Sequence, residues 1–292
     1  MTEQEYSYNP SDDSIISYVS RLVQDKLDFT TIDHGSTHDI IFPDGRKETR
    51  RCQILSPQYK GYSRKIYNDA KKRMEKGIYK PFNQDSERSS ITTVQFCPEN
   101  MRKTISNEDK FVQAIDISAC YTTTAYHLGI ISEKVYKAMV ENPHMADKDY
   151  KTAMSAGIGL LGMTKIERRY KNGRVVEVLI HRRPTNTGRL DVIDTVWKLA
   201  QTIIRATEGG FIMFLTDCFY VMPAYMPKIT ALLDKLGYMY KSERIELVGL
   251  THVQKETRLV YQLEYLKESN INRDTPTSKI YFSSQNCWRL RD

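Results

Sequence analysis

Two aspartates in this chain of 292 residues share an unusual setting. Asp116 follows the apolar run 111–115 (FVQAI), and Asp217 follows the run 211–215 (FIMFL) by one residue. If the runs are adjacent strands of one sheet, the carboxylates meet there, and two anions a few ångströms apart repel strongly unless cations sit between them. Magnesium suits that need. It takes one or two carboxylates plus phosphate oxygens, and two ions about 3.5–4 Å apart clamp both sides of a phosphoryl displacement. Read singly, each aspartate also has a plainer use: Asp116 as the cap of a following helix, Asp217 as a hairpin-turn residue.

The stretch between them supplies other chemistry. In "KTAMSAGIGLLG" (151–162), Lys151 is a compact point charge suited to a triphosphate, and Ser155 and Ile158 fall on nearly the same face of a helix. Gly157, Gly159 and Gly162 clear side chains where a backbone or a base must approach, although close helix packing also uses glycine. A second basic region, 59–80, carries eight Lys or Arg and four interleaved tyrosines. As a helix, it would present Arg64, Lys65, Lys71, Lys72 and Lys76 to phosphates, or simply to water.

The elements that must position these groups read as follows. Residues 14–27 repeat apolar positions at helical spacing, with Ser11, Asp12 and Asp13 as cap candidates. "DIIFPDGRKETRRCQIL" alternates around the turn signal Pro43-Asp44-Gly45, and 81–107 is polar and turn-rich. A strand ends at Asp116, helices cover 132–141 and 147–154, and a hairpin turns at Asn172-Gly173. A helix over 191–206, two strands around Thr216-Asp217, a helix stopped by Gly237 and two further strands complete the series. This order predicts an α+β fold whose helices lie on one face of a mostly antiparallel sheet.

Lysine and arginine number 43 against 36 acids, a net charge of +7 that suits a polyanionic partner. Five scattered cysteines without a C-x-x-C pair point to a reducing, cytoplasmic setting and not to a disulfide scaffold or zinc site. No apolar run approaches the roughly 20 residues of a membrane helix, and no signal segment is evident. His34 and His38 are spaced i, i+4, but Gly35-Ser36-Thr37 between them reads as a loop. Trp197 and Trp288 are expected in the core or at an end.

The order and spacing of the blocks resemble the palm of a family B DNA polymerase. "DISACYT" is similar to that family's first motif, D-x-x-S-L-Y-P, with Asp116 at the metal-binding aspartate and Tyr121 at the aromatic gate under the incoming sugar. "KTAMSAGIGLLG" resembles the second, K-x-x-x-N-S-x-Y-G, with Lys151 on the triphosphate-binding lysine and Gly159 and Gly162 on the glycines. "FLTDCFYV" resembles the third, D-T-D-S-x-Y-V, with Thr216 and Asp217 on its second and third positions. "QKETRLVY" resembles a lysine motif at the primer end, which nominates Lys255. There are departures: Leu215 replaces the third motif's first aspartate, Ser155 the usual asparagine, and Ile158 the tyrosine that packs on the nascent pair.

The resemblance implies a palm-like sheet over 109–265 with short helical-hairpin fingers, preceded by a small basic α/β region over 1–108 and followed by a tail or reduced thumb over 266–292. It implies a minimal nucleotidyltransferase without a proofreading domain. Asp116 and Asp217 would hold two magnesium ions, while Tyr121, Lys151, Ser155 and Gly159 would contact the nucleotide. Arg64, Lys65, Lys71, Lys72 and Lys255 would contact DNA or another nucleic acid. Deoxynucleoside triphosphates are the implied substrates, partner subunits could supply a thumb, and the small size suits a virus or mobile element. Two other readings stand beside it: a catalytically degenerate palm serving as a nucleic-acid-binding or assembly subunit, and a magnesium nuclease using the same carboxylates.

Overall fold

The computed structural model describes residues 15–33, 37–51, 59–82, 94–162, 164–182, 188–255, 258–267, 277–283 and 286–287. Ser11, Asp12, Asp13, His34, Cys52 and Trp288 lie outside them. The fold is α+β with antiparallel sheets, in two compact units. Each unit is built from two stretches of chain, 1–84 with 125–192 and 85–124 with 193–292. The units therefore cut across the linear division at 108 and 265.

The first unit contains α1 (Ile15–Gln24), the strands β1 (Phe29–Asp33), β2 (Thr37–Ile41) and β3 (Lys47–Arg51), and the long hairpin β6 (Thr164–Lys171) and β7 (Arg174–Arg182). All five strands form one sheet in the order β3-β2-β1-β6-β7, because β1 pairs with β6. Of the loop expected at 35–37, Gly35 and Ser36 lie outside the described residues and Thr37 opens β2, in which His38 stands 3.5 Å from Asp33. Leu22 of α1 packs with Phe29, Ile40 and Phe42 on this sheet, and Phe29 stacks on Tyr170 at 4.4 Å.

The same unit holds α2 (Lys60–Glu75), α5 (Glu133–Val140) and α6 (Lys148–Leu160). The expected two-helix hairpin is therefore a three-helix group, with α2 packed against both partners. Tyr150, wholly buried, donates its hydroxyl to the Met139 carbonyl at 2.8 Å and meets Tyr62 edge-on. Arg73 Nε donates to the Gly129 carbonyl at 2.7 Å, and Asp69 accepts the Ser132 amide at 2.6 Å.

The second unit is organised by a seven-stranded sheet, β12-β11-β10-β5-β9-β8-β4. Its strands are β4 (Val94–Phe96), β5 (Phe111–Ile117), β8 (Phe211–Leu215), β9 (Cys218–Val221), β10 (Tyr240–Lys255), β11 (Arg258–Lys267) and β12 (Ser278–Ser283). The period-two alternation of β5 explains how it is held. Ile115 and Ile117 face a core closed by Val196, Ala200 and Ile203 of α7 (Gly188–Ala206) and by Ile229 and Leu233 of α8 (Met226–Lys235). Val112 and Ala114 face the opposite core, with Met101 of α3 (Pro98–Ile105), Ile245 and Leu263. Helices therefore cover both faces.

Helix α3 and strand β4 lie within the stretch expected to be turn-rich, where apolar residues are too sparse to show a period. Residues 278–283, expected in a tail or thumb, are the sheet's edge strand. No disulfide joins the four described cysteines to one another, and no helix among the described residues is long and apolar enough to cross a membrane.

Candidate active site

Asp116 lies within β5, on the same pleat as Val112 and Ala114, at the point where that face's apolar ladder gives out. It is exposed and caps no helix: the next one, α4 (Cys120–His127), begins four residues later, after Ala119 at φ 49°. The strand register sets Asp116 between Cys218 of β9 and Lys241 of β10. Directly opposed residues of an antiparallel pair share a face, with Cβ atoms about 4.5–5.5 Å apart.

Asp217 occupies the two-residue turn that joins β8 to β9. Thr216 before it has φ 60°, a left-handed conformation that a β-branched residue adopts only when its surroundings impose it. The Asp217 amide donates to the Leu215 carbonyl at 2.6 Å, and the Asp217 carbonyl accepts the Ile117 amide at 3.1 Å. The second bond ties the turn to the end of β5 and so brings Asp217 beside Asp116. Burial, and after it the charge of Asp116, pushes the Asp217 carboxyl up to about 6.

Two thiols lie within the field of both carboxylates. Burial, then Asp217 and Asp116, raises Cys120, and Cys218 is pushed up to about 12 by burial with smaller contributions from the same aspartates. Burial and the two aspartates thus favour the neutral thiol at both positions. Tyr121, at the start of α4, packs on the α7 and α8 core and donates its hydroxyl to the Thr216 carbonyl at 3.4 Å. The structure thus brings together three residues nominated from sequence: Asp116, Asp217 and Tyr121.

Sequence reasoning missed the cations on this face. Lys241 is exposed opposite Asp116, and Lys267 of β11, which pairs with Glu243 at 3.0 Å, is close enough to influence Cys218. Only a strand register could have nominated them, and "YKSERIEL" alone carries none. Lys255 is the last residue of β10, fourteen positions beyond Lys241 and about 45 Å along the strand by rise per residue.

Lys151 and Ser155 are exposed one turn apart on α6, in the first unit, while Ile158 is buried and not on their open face. The glycines divide by task. A Cβ at Gly157 would lie 2.8 Å from Ile66 Cδ1 and 3.2 Å from Ser63 Cα, so Gly157 lets α2 and α6 approach. At Gly162 a Cβ would meet the Arg189 side chain, and at Gly159 it would meet nothing within 4 Å.

On α2, Arg64, Lys65, Lys71 and Lys72 are exposed, as is Lys76 at its C-cap, with Lys71 paired to Glu75 at 3.7 Å. Three of the interleaved tyrosines are anchors and not stacking platforms. Tyr59 donates to Asp147 at 2.6 Å, Tyr62 packs on Tyr150, and Tyr79 donates to the buried Asp191.

Comparison with protein-family models, curated proteins and solved structures finds no match for this chain. The site's chemistry therefore rests on its own residues. Among the described residues no three His, Cys, Asp or Glu side chains group as a metal site. The two carboxylates nevertheless fit magnesium, which takes few protein ligands and completes its shell with water and phosphate oxygens.

Proposed function

We propose that this chain is a compact nucleotidyltransferase resembling a minimal family B DNA polymerase, transferring a deoxynucleotide to a 3'-hydroxyl. One observation carries the reading: Asp116 and Asp217, a hundred residues apart in sequence, converge at neighbouring strand ends, where the first raises the carboxyl of the second. Magnesium held there would supply charge neutralisation at the attacking hydroxyl and the leaving pyrophosphate. Asp116 and Asp217 hold that charge in place. Tyr121, fixed to the Thr216 carbonyl, presents its ring to the sugar. Lys151 neutralises triphosphate charge, with Ser155 and Gly159 beside it on α6. Arg64, Lys65, Lys71 and Lys72 take nucleic-acid phosphates. Such catalysis is mostly positioning and electrostatics, so a small set of groups suffices.

The test is magnesium-dependent incorporation of labelled deoxynucleotide on a primed template. Asp116→Asn and Asp217→Asn should each lower incorporation at least a thousandfold while circular dichroism stays unchanged. Wild-type rates in either variant would overturn the assignment. Shortening of the substrate in place of extension would identify a nuclease.

A second reading, a palm-like protein that binds nucleic acid without chemistry, is favoured by Leu215. Its side chain packs, partly buried, against the core on the face that Asp116 shares, at the position where the resembled motif has its first aspartate. That reading predicts nucleic-acid binding with no incorporation by the wild-type chain.

A further inference from the structure

The five-stranded sheet has two dissimilar edges. β3 (KETRR) carries a charge at four of its five residues, the usual protection of an open edge. β7, at the other end, is paired among the described residues with β6 alone, through a ladder with one bulge at Val176, and its Val175, Val176, Val178, Leu179 and Ile180 are 40–60% exposed. Successive residues of a strand point to opposite faces, so the apolar surface wraps both faces of the strand as well as its open row of amides and carbonyls. A partner that covers only one face would leave half of it wet. A partner strand covers both faces and pairs the edge.

We infer that β7 is a docking edge for a second copy of this chain, joined through antiparallel β7–β7 pairing about a two-fold axis. Charge complementarity selects that occupant and its register. Opposed residues in such a pair share a pleat, so the axis must pass through a residue. Through Glu177 it would oppose the two glutamates, and through Val178 it would set each Glu177 against the apolar Leu179 of the other copy. Like charges directly opposite one another destabilise a pair. Through Leu179, the leucine faces its own copy, Val178 faces Ile180, and Glu177 faces His181. That register buries apolar against apolar and sets an acid against a base. Within each chain Glu177 already holds Arg169 at 3.0 Å and His181 lies 3.8 Å from Glu167, so the new pairs extend existing cross-strand networks. The dimer continues the sheet from five strands to ten. An interface of one strand pair is small, and a micromolar association is expected.

Sedimentation equilibrium of the full chain, from about 1 to 100 µM, should show a reversible monomer–dimer system. Leu179→Lys should be monomeric throughout, with unchanged circular dichroism. The register is tested by Leu179→Cys. Residues opposed across such a pair have Cα atoms about 4.5–5.5 Å apart, within disulfide reach. Oxidised glutathione should therefore yield a covalent dimer with Leu179→Cys and none with wild type or Val178→Cys, whose position faces Ile180. A wild-type chain monomeric over the whole range would overturn the inference, as would a dimer that survives Leu179→Lys. Cross-linking through Val178→Cys would overturn the register.

Discussion

Asp116 and Asp217 are held in a fixed electrostatic relation. Asp116 stands opposite Cys218, the residue after Asp217, and its charge adds to burial in lifting the Asp217 carboxyl to about 6. The backbone imposes this proximity through the bond from the Ile117 amide to the Asp217 carbonyl. Without a cation, folding at neutral pH must therefore hold an unfavourable carboxylate.

The stability consequence follows from the direction of that shift. A carboxyl raised from 3.8 to about 6 in the folded state stabilises the fold below about pH 4, and the contribution is lost as pH rises through about 6. The amount is of order 3 kcal/mol. Asp217→Asn should be more stable than wild type at pH 8 by that order, and the gap should close towards pH 4. Urea denaturation of both proteins at several pH values measures it, and a gap independent of pH would contradict the shift.

A divalent cation should reverse the same penalty. An ion that binds only the folded state adds RT ln(1 + [L]/Kd), about 1.4 kcal/mol at ten times Kd. Magnesium at 10 mM and pH 7.5 should accordingly raise the wild-type melting temperature by a few degrees if it binds near 1 mM. Asp116→Asn and Asp217→Asn should lose that response. Equal magnesium-induced shifts in all three proteins would show that the ion binds elsewhere.

Thr216 carries backbone strain beside the site. At φ 60°, a β-branched residue costs about 1–2 kcal/mol, whereas asparagine tolerates the left-handed region. Thr216→Asn should stabilise the protein by about 1 kcal/mol in thermal or urea unfolding. The bond from Tyr121 to the Thr216 carbonyl involves only the backbone at position 216 and should survive.

Much of this architecture was legible in the sequence. The turns at Asp44-Gly45, Asn172-Gly173 and Thr216-Asp217 and the period of α7 are local signals, and each appears where its residues place it. The pairing of β1 with β6 across more than a hundred residues is a long-range choice that no local period encodes. The same limit applies at the site: the apolar run before each aspartate marked it as a strand-end carboxylate, whereas Lys241 emerged only from the β5–β10 register. α3 was missed because its buried apolar residues are too few to make a pattern, and two of its buried positions, Asn100 and Thr104, are polar. Asn100 holds the Phe211 carbonyl at 2.8 Å, a contact that becomes evident only once the sheet is assembled.

The glycines of α6 separate packing from ligand approach. At Gly157 a methyl would press on Ile66, whose flexible tip could yield, but also stand 3.0 Å from Ile66 Cβ and 3.2 Å from Ser63 Cα, which cannot move without shifting α2. Overpacking of this kind costs about 1–3 kcal/mol, more than the roughly 1 kcal/mol that alanine gains over glycine in a helix. Gly157→Ala should therefore melt lower than wild type. Gly159 has open space within 4 Å, so Gly159→Ala should melt higher, by up to about 1 kcal/mol of stability. If that space receives the nucleotide, as the proposed function requires, Gly159→Ala should also raise the KM for deoxynucleotide severalfold while kcat changes less. Thermal melting and steady-state incorporation on the same two variants check both halves, and a stabilised Gly159→Ala with unchanged KM would remove Gly159 from the nucleotide site.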